Sequence, residues 1–362
     1  MLLFARHIIF ALLTSVAFAI ATLNDEMDAD TLNLLAQTAS GNEAVHLTER
    51  TTNSSSTCTV GNLSIRREWG SLSAEERIAY TDAVLCLQEK IALTPTSLVP
   101  GVRSRFDDWV ATHINQTLTI HYTGTFLAWH RWFTWNYEQA LKTECGYTGT
   151  QPYWDWGPYS SNTTSSPVFD GSATRGGCVT SGPFKNMTVN LGPVFLPLNN
   201  GSVETGTGFD YNPRCLKRDI GSAVNQAYAN YTSIVNLLTK NDNIEDFQMV
   251  MQGIPGSGSI GVHGGGHYTI AGDPGSDFYT SPGDPAFYLH HGMIDRTWWI
   301  WQNLDLENRQ DAISGTGTFL NNPPSANTTL DDMIDLGYAR GGPIAMRDIM
   351  STTDGPFCYT YE

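Results

Sequence analysis

The residues best equipped for chemistry in this 362-residue chain are its nine histidines. His7 and His46 lie near the start, and the other seven fall into two groups. His113, His121 and His130 stand before the midpoint of the chain, and His263, His267, His290 and His291 stand after it. Neutral imidazole ligates copper, zinc, iron and nickel, and three imidazoles on one ion leave a coordination position open for an exogenous ligand. Two groups therefore point to two metal ions. No ligating Cys, Asp or Glu is evident beside either group, so a pair of copper ions able to bind and reduce dioxygen is the natural occupant. His263 and His267 are spaced i, i+4, which stacks both rings on one face of a helix. The residues between them are Gly264, Gly265 and Gly266, each costing ~1 kcal/mol relative to Ala in a helix interior. Metal ligation and close packing of the bare backbone are the sources that could offset this. The pair also lacks the Glu of the HExxH zinc-protease signature.

These side chains need helices to hold them. Ser73 and Glu76 form a capping box, after which Tyr80, Val84, Leu87 and Ile91 recur at helical spacing up to Pro95. Phe126, Trp129, His130, Phe133, Tyr137, Ala140 and Leu141 predict a second amphipathic helix that ends near Gly146 and buries His130. A third is predicted over Ser222–Leu238 and a fourth from about Leu289 through Trp301. The stretches Gly157–Asn212 and Gly253–Pro285 are rich in Gly, Pro, Ser and Asn and read as long ordered loops with a few short strands. With no internal repeat and no interdomain linker after Cys58, residues 58–362 read as one mainly helical domain.

Hydrophobic residues at 41% and charged residues at 15% provide a large core and exclude disorder. The net charge of -16 argues against nucleic acids and acidic membrane surfaces as partners and favours small neutral substrates. Residues 1–21 combine Arg6, an apolar run from Ile8 to Ile20, and Ala17, Ala19 and Ala21. This is the layout of a cleavable signal peptide, too short for a membrane anchor. Residues 22–57 read as a polar pro-segment or flexible lead-in. Secretion fits the six cysteines, Cys58, Cys86, Cys145, Cys178, Cys215 and Cys358, which form no CxxC and are read as disulfides of open connectivity. It also fits the sequons at Asn53, Asn62, Asn115, Asn162, Asn186, Asn200, Asn230 and Asn327, which predict N-glycans.

Longer motifs carry a resemblance. HYTGTFLAWHRWFTWNYEQAL around His121 and His130, QPYWDW at Gln151–Trp156, VHGGGH around His263 and His267, and DPAFYLHHGMIDRTWWIWQ from Asp284 to Gln302 resemble the tyrosinase, catechol oxidase and hemocyanin superfamily. The likeness is strongest to its short secreted fungal members. Arg66–Gln88 is similar to the family's first helix, and Tyr359-x-Tyr361 to the tyrosine motif that closes its central domain. The resemblance implies a four-helix bundle around two copper ions. His113, His121 and His130 would hold the first ion and His263, His267 and His290 the second, with His291 as a spare. Phe287 would pack near the site and Asp295 would join a supporting hydrogen-bond network.

Three departures from the family pattern shape the expected activity. Thr119 stands where many members carry the Cys of a thioether bridge. The sequence closes on the tyrosine motif, so no C-terminal lid domain and no latency through one are expected. Gly264 follows the first ligand of the second copper where strong monophenol hydroxylases carry Asn, and Gln252 stands near the position of an upstream Glu; an amide is no general base. The resemblance thus implies oxidation of ortho-diphenols to ortho-quinones by dioxygen. The alternatives are a full tyrosinase that also hydroxylates monophenols, an ortho-aminophenol oxidase, an oxygen carrier of hemocyanin type and, more distantly, a structural zinc protein.

Overall fold

The structure is a computed structural model that describes residues 26–50, 58–169, 176–198 and 200–362. The signal-peptide reading and Asn53 lie outside the described residues. Ten helices are named in chain order: α1 (26–50), α2 (Ala74–Glu89), α3 (Arg105–Ile120), α4 (Phe126–Cys145), α5 (Ser222–Tyr228), α6 (Tyr231–Lys240), α7 (Ile244–Gln252), α8 (Gly261–Ile270), α9 (Ala286–Asn303) and α10 (Leu306–Arg309). Helices α3, α4, α8 and α9 form the bundle that carries the histidines. Helix α2 braces α3 and α4 from one side, while α5 and α7 pack on α8 from the other.

Local chemistry sets the boundaries of these helices. Ser73 caps α2 reciprocally with Glu76, as expected, but the helix stops at Glu89, leaving Ile91 outside it and 85% exposed. Helix α3 was not anticipated, although Ser104 and Asp107 form an equivalent reciprocal box at its start. Helix α4 ends at Gly146, whose left-handed backbone (φ 71°) turns its N–H back onto α4 carbonyls. The helix expected over Ser222–Leu238 is two helices. Asn230 breaks it by capping α6, its Oδ1 accepting from the Ser233 N–H. Part of the expected loop 253–285 is helix α8. The remaining strands are short pairs, of which Ser64–Arg66 runs parallel to Tyr359–Tyr361.

The six cysteines pair as Cys58–Cys358, Cys86–Cys145 and Cys178–Cys215. The first joins the two ends of residues 58–362 beside the parallel strand pair, and the second clamps α2 to the end of α4.

The segment read as a flexible lead-in is helical over 26–50. Leu32, Ala36, Ala39 and Leu47 are buried at helical spacing, a stripe thin enough to escape a search for larger apolar residues. Glu43 is buried on the same face. Its carboxylate accepts from Trp299 Nε1 and Thr352 Oγ1, both at 2.9 Å, and from Thr360 Oγ1. Burial pushes the Glu43 pKa up against these three hydrogen bonds.

Candidate metal centre

The first three histidines are oriented by the backbone. His113 lies within α3, His121 caps its C-terminal end, and His130 lies in the first turns of α4. Each turns Nδ1 onto a carbonyl oxygen: Tyr279 at 2.7 Å, Thr117 at 2.9 Å and Phe126 at 2.8 Å, respectively. A ring nitrogen facing a carbonyl must carry the proton, so each Nε2 presents a lone pair. The buried Nε2 atoms of His113 and His130 have no hydrogen-bond partner. Buried polar atoms rarely go unsatisfied, so two such atoms converging in one place fit a metal ligand set. One nitrogen from each of the three rings lies within 4.8 Å of the others.

The second group is oriented by packing. His263 Nε2 lies 3.2 Å from His267 Nε2, which lies 3.3 Å from His291 Nε2. His290 belongs to the same cluster, but its ring packs against α8 and the indole of Trp156, 5.3 Å between centroids. A Cβ on Gly266 would lie 2.2 Å from the His290 ring, and one on Gly265 would lie 2.9 Å from the Tyr228 Cβ. The bare backbone of α8 is thus what lets α5 and His290 approach. The expectation has His290 complete the second set with His291 as the spare; all four rings share the cluster, and both ring nitrogens of His290 are buried without a hydrogen-bond partner. The short nitrogen contacts belong to His291, and His290 sits against the backbone that carries His263 and His267.

The two sets face each other. The rings of His130 and His291 stack at 4.4 Å, and those of His121 and His263 lie 5.6 Å apart. Phe287 sits between the sets, 4.2 Å from His291, 5.5 Å from His113 and 5.6 Å from His267. Burial pushes the His121 pKa down to about 4 and that of His290 to about 3, and it drives the remaining five down as well. The rings are therefore neutral near pH 7, the state in which imidazole ligates a metal.

Asp295, one turn beyond His291 on α9, does not reach the histidines. Its carboxylate accepts from Arg131 Nε at 2.5 Å and from the Tyr359 and Tyr361 hydroxyls at 2.6 Å each, and Arg66 bridges it to Glu138. The arginines hold the Asp295 carboxyl below its usual range against the opposing effect of burial. This network locks α9 to α4, and so His291 to His130, and it explains why both tyrosines of the closing motif are buried.

A cleft of about 560 Å³ opens onto His121, His263 and His267. Gly264 and Gln252 both line it. Gln252 is engaged elsewhere: its Oε1 accepts from the Tyr122 backbone N–H at 2.7 Å and its Nε2 donates to the Gln248 carbonyl at 3.2 Å. Three wall residues had escaped sequence reasoning. Phe278 lies 4.5 Å from the His121 ring, Phe319 contacts Phe278 at 6.0 Å, and Tyr122 contacts Phe319 at 5.2 Å. Tyr122 adjoins a ligand and could have been found by position. Phe278 and Phe319 come from irregular segments without periodicity.

The fold and site define a helical-bundle protein with two facing imidazole sets, suited to a binuclear metal centre. Residues 103–304 match the common central domain of tyrosinase. Tyrosinase P of Aspergillus terreus is 40% identical over 329 residues, covering 82% of this chain and 91% of the relative. An N-acetyl-6-hydroxytryptophan oxidase of Emericella nidulans is 36% identical, covering 84% and 94%. Among solved structures, a mutant polyphenol oxidase from Thermothelomyces thermophila is 44% identical, covers 91% of this chain and 97% of its own, and superposes with a TM-score of 0.86. The chain belongs to the tyrosinase family of type 3 copper proteins, and it is an oxidoreductase whose cofactors are two copper ions.

Proposed function

We propose that this chain oxidises ortho-diphenols to ortho-quinones and is a poor hydroxylase of monophenols. Overall, two catechols and one dioxygen give two quinones and two waters. In this reading His113, His121 and His130 hold one copper and His263, His267 and His291 the other. When bound, the copper pair supplies dioxygen binding and the two-electron oxidation. The protein holds the imidazoles neutral, fixes their directions and surrounds them with aromatic side chains. Phe287 packs against histidines of both sets, and Phe278 lies at the ring of His121, where an incoming aromatic ring would stack.

The observation that carries the preference for diphenols is that, among the described residues lining the cleft, no carboxylate is free to accept a proton. Gly264 offers no side chain, and the Gln252 amide is engaged with backbone. Asp277, the carboxylate of the lining, is buried and accepts backbone N–H groups from Val194, Phe195, Tyr279 and Thr280. A monophenol must give up its proton before hydroxylation, and no free carboxylate among the described lining residues stands ready for it. Oxygen-electrode traces on a matched pair, 4-methylcatechol and 4-methylphenol, test this. Prompt uptake on the catechol with a slow, lagging trace on the phenol supports the reading, and equal rates contradict it. The hydroxytryptophan-oxidising relative favours a second reading, a hydroxylated bicyclic ring, which traces on 6-hydroxyindole test.

Secretion is part of the same proposal. Three disulfides support an oxidising compartment. Asn62, Asn115, Asn162, Asn186, Asn200 and Asn327 are exposed, whereas the Asn230 amide donates to Gln226 O and is the least available for a glycan. Mass spectrometry of the protein from culture medium tests both the leader cleavage and the glycans.

A further inference from the structure

The rim of the cleft is apolar and strained. Leu320 is 44% exposed and Ile254 47% exposed, and both line the opening. Leu320 adopts φ 51° and its neighbour Asn321 φ 54°, a left-handed backbone that non-glycine residues rarely occupy. The loop is held there by the Leu320 N–H donating to the Tyr122 carbonyl at 3.2 Å, and Tyr122 is itself at φ 50°. The Tyr122 hydroxyl in turn donates to the carbonyls of Gln252 and Gly253, next to Ile254. One chain of hydrogen bonds thus ties both lips to the residue that follows His121. Strain maintained by such ties at the mouth of a site marks a functional constraint.

No Lys, Arg or Glu is among the described residues that line this cleft, and Asp277 is saturated by backbone N–H groups. The whole chain carries a net charge of -16. A substituent projecting from a docked ring towards the lips therefore meets leucine, isoleucine and the field of an acidic protein. A carboxylate there would lose water without gaining a counter-charge, while an alkyl or amide substituent would cover the lips.

Resting on the diphenol reading of the same site, we propose that Leu320 and Ile254 form a charge-excluding lip that selects phenols with uncharged, apolar ring substituents over phenols bearing a carboxylate. Leu320 is the specificity-determining residue, because the strained loop presents its side chain to the opening.

The test uses copper-loaded enzyme and three catechols that differ only at the far end of the substituent: 4-propylcatechol, 3,4-dihydroxyphenylpropionamide and 3,4-dihydroxyphenylpropionate. Binding is read anaerobically by tryptophan-fluorescence titration, and turnover by oxygen uptake. The acid is expected to bind at least about tenfold more weakly than the amide, with the difference appearing in KM more than in kcat. Leu320→Arg should close that gap by improving the acid, and Ile254→Arg repeats the test at the second lip should the first variant not fold. Equal affinities for acid and amide, or an unchanged ratio in both arginine variants, overturn the proposal. If all three catechols bind in the expected order but none is oxidised, the diphenol reading fails while the charge-excluding lip stands.

Discussion

The two histidine sets reach the same end by different means. The first is held by hydrogen bonds: His113, His121 and His130 each anchor Nδ1 on a main-chain carbonyl, which fixes both tautomer and direction. The second is held by shape. His263 and His267 ride a glycine-rich helix pressed against α5 and the His290 ring, and His291 is carried in by α9. A set aimed by hydrogen bonds should tolerate changes in volume better than a set aimed by close packing, which has no slack. The contrast can be broken in graded steps.

The largest effect is expected from His291→Ala, which should remove one copper per chain and abolish oxygen uptake. His290→Ala should keep both coppers and lose activity by roughly 10- to 100-fold, the usual cost of removing a group that supports a ligand. Metal analysis of the two variants decides between them, and the reverse pattern would restore His290 as the ligand.

Acid should weaken both sets together in the metal-free protein. The folded-state histidine pKa values lie below the ordinary value, so as pH falls from about 6.5 towards 4 the unfolded chain takes up protons that the folded chain refuses. Stability is then fully present above about pH 6.5 and declines towards pH 4, the range set by the lowered His121 pKa of about 4. Thermal unfolding of apoprotein across this range checks the sign.

Asp295→Ala is the control that should strike both sets alike, because Asp295 joins the helix of His291 to that of His130. It leaves Arg131 and Arg66 buried without their shared carboxylate, at a cost of about 3–5 kcal/mol. Gly266→Ala should cost about 1–3 kcal/mol and selectively weaken the second copper, since the new methyl group would collide with His290. Thr117→Val should be mildest, about 1 kcal/mol. It removes a hydroxyl that donates to the His113 carbonyl but leaves the Thr117 carbonyl that orients His121. Denaturant melts paired with copper titrations rank these three.

Much of this architecture is legible in the sequence. The grouping of histidines, the glycines between His263 and His267, and the long motifs around His130 and Asp295 point to the bundle and to the residues that converge. What escaped has physical reasons. Helix α3 buries Phe106, Trp109, Val110, His113, Thr117 and Ile120 at helical spacing, but a His and a Thr stand within that stripe and interrupt its run of apolar residues. Helix α1 packs through alanines and a buried Glu43, whose acceptor role shows only once Trp299, Thr352 and Thr360 surround it. The rings of His290 and His291 point ~100° apart around the helix, so the sequence alone does not separate them, and only the fold shows that Gly266 leaves room for the His290 ring. Phe278, Phe319 and Leu320 come from loops whose course follows tertiary contacts with Tyr122 and His121.

Copper quantitation on the purified holoprotein tests the central claim most directly. Two facing sets of three imidazoles require two copper ions per chain, falling to one in His291→Ala. A wild-type content of one copper or fewer at saturation, or two ions retained in His291→Ala, would contradict it.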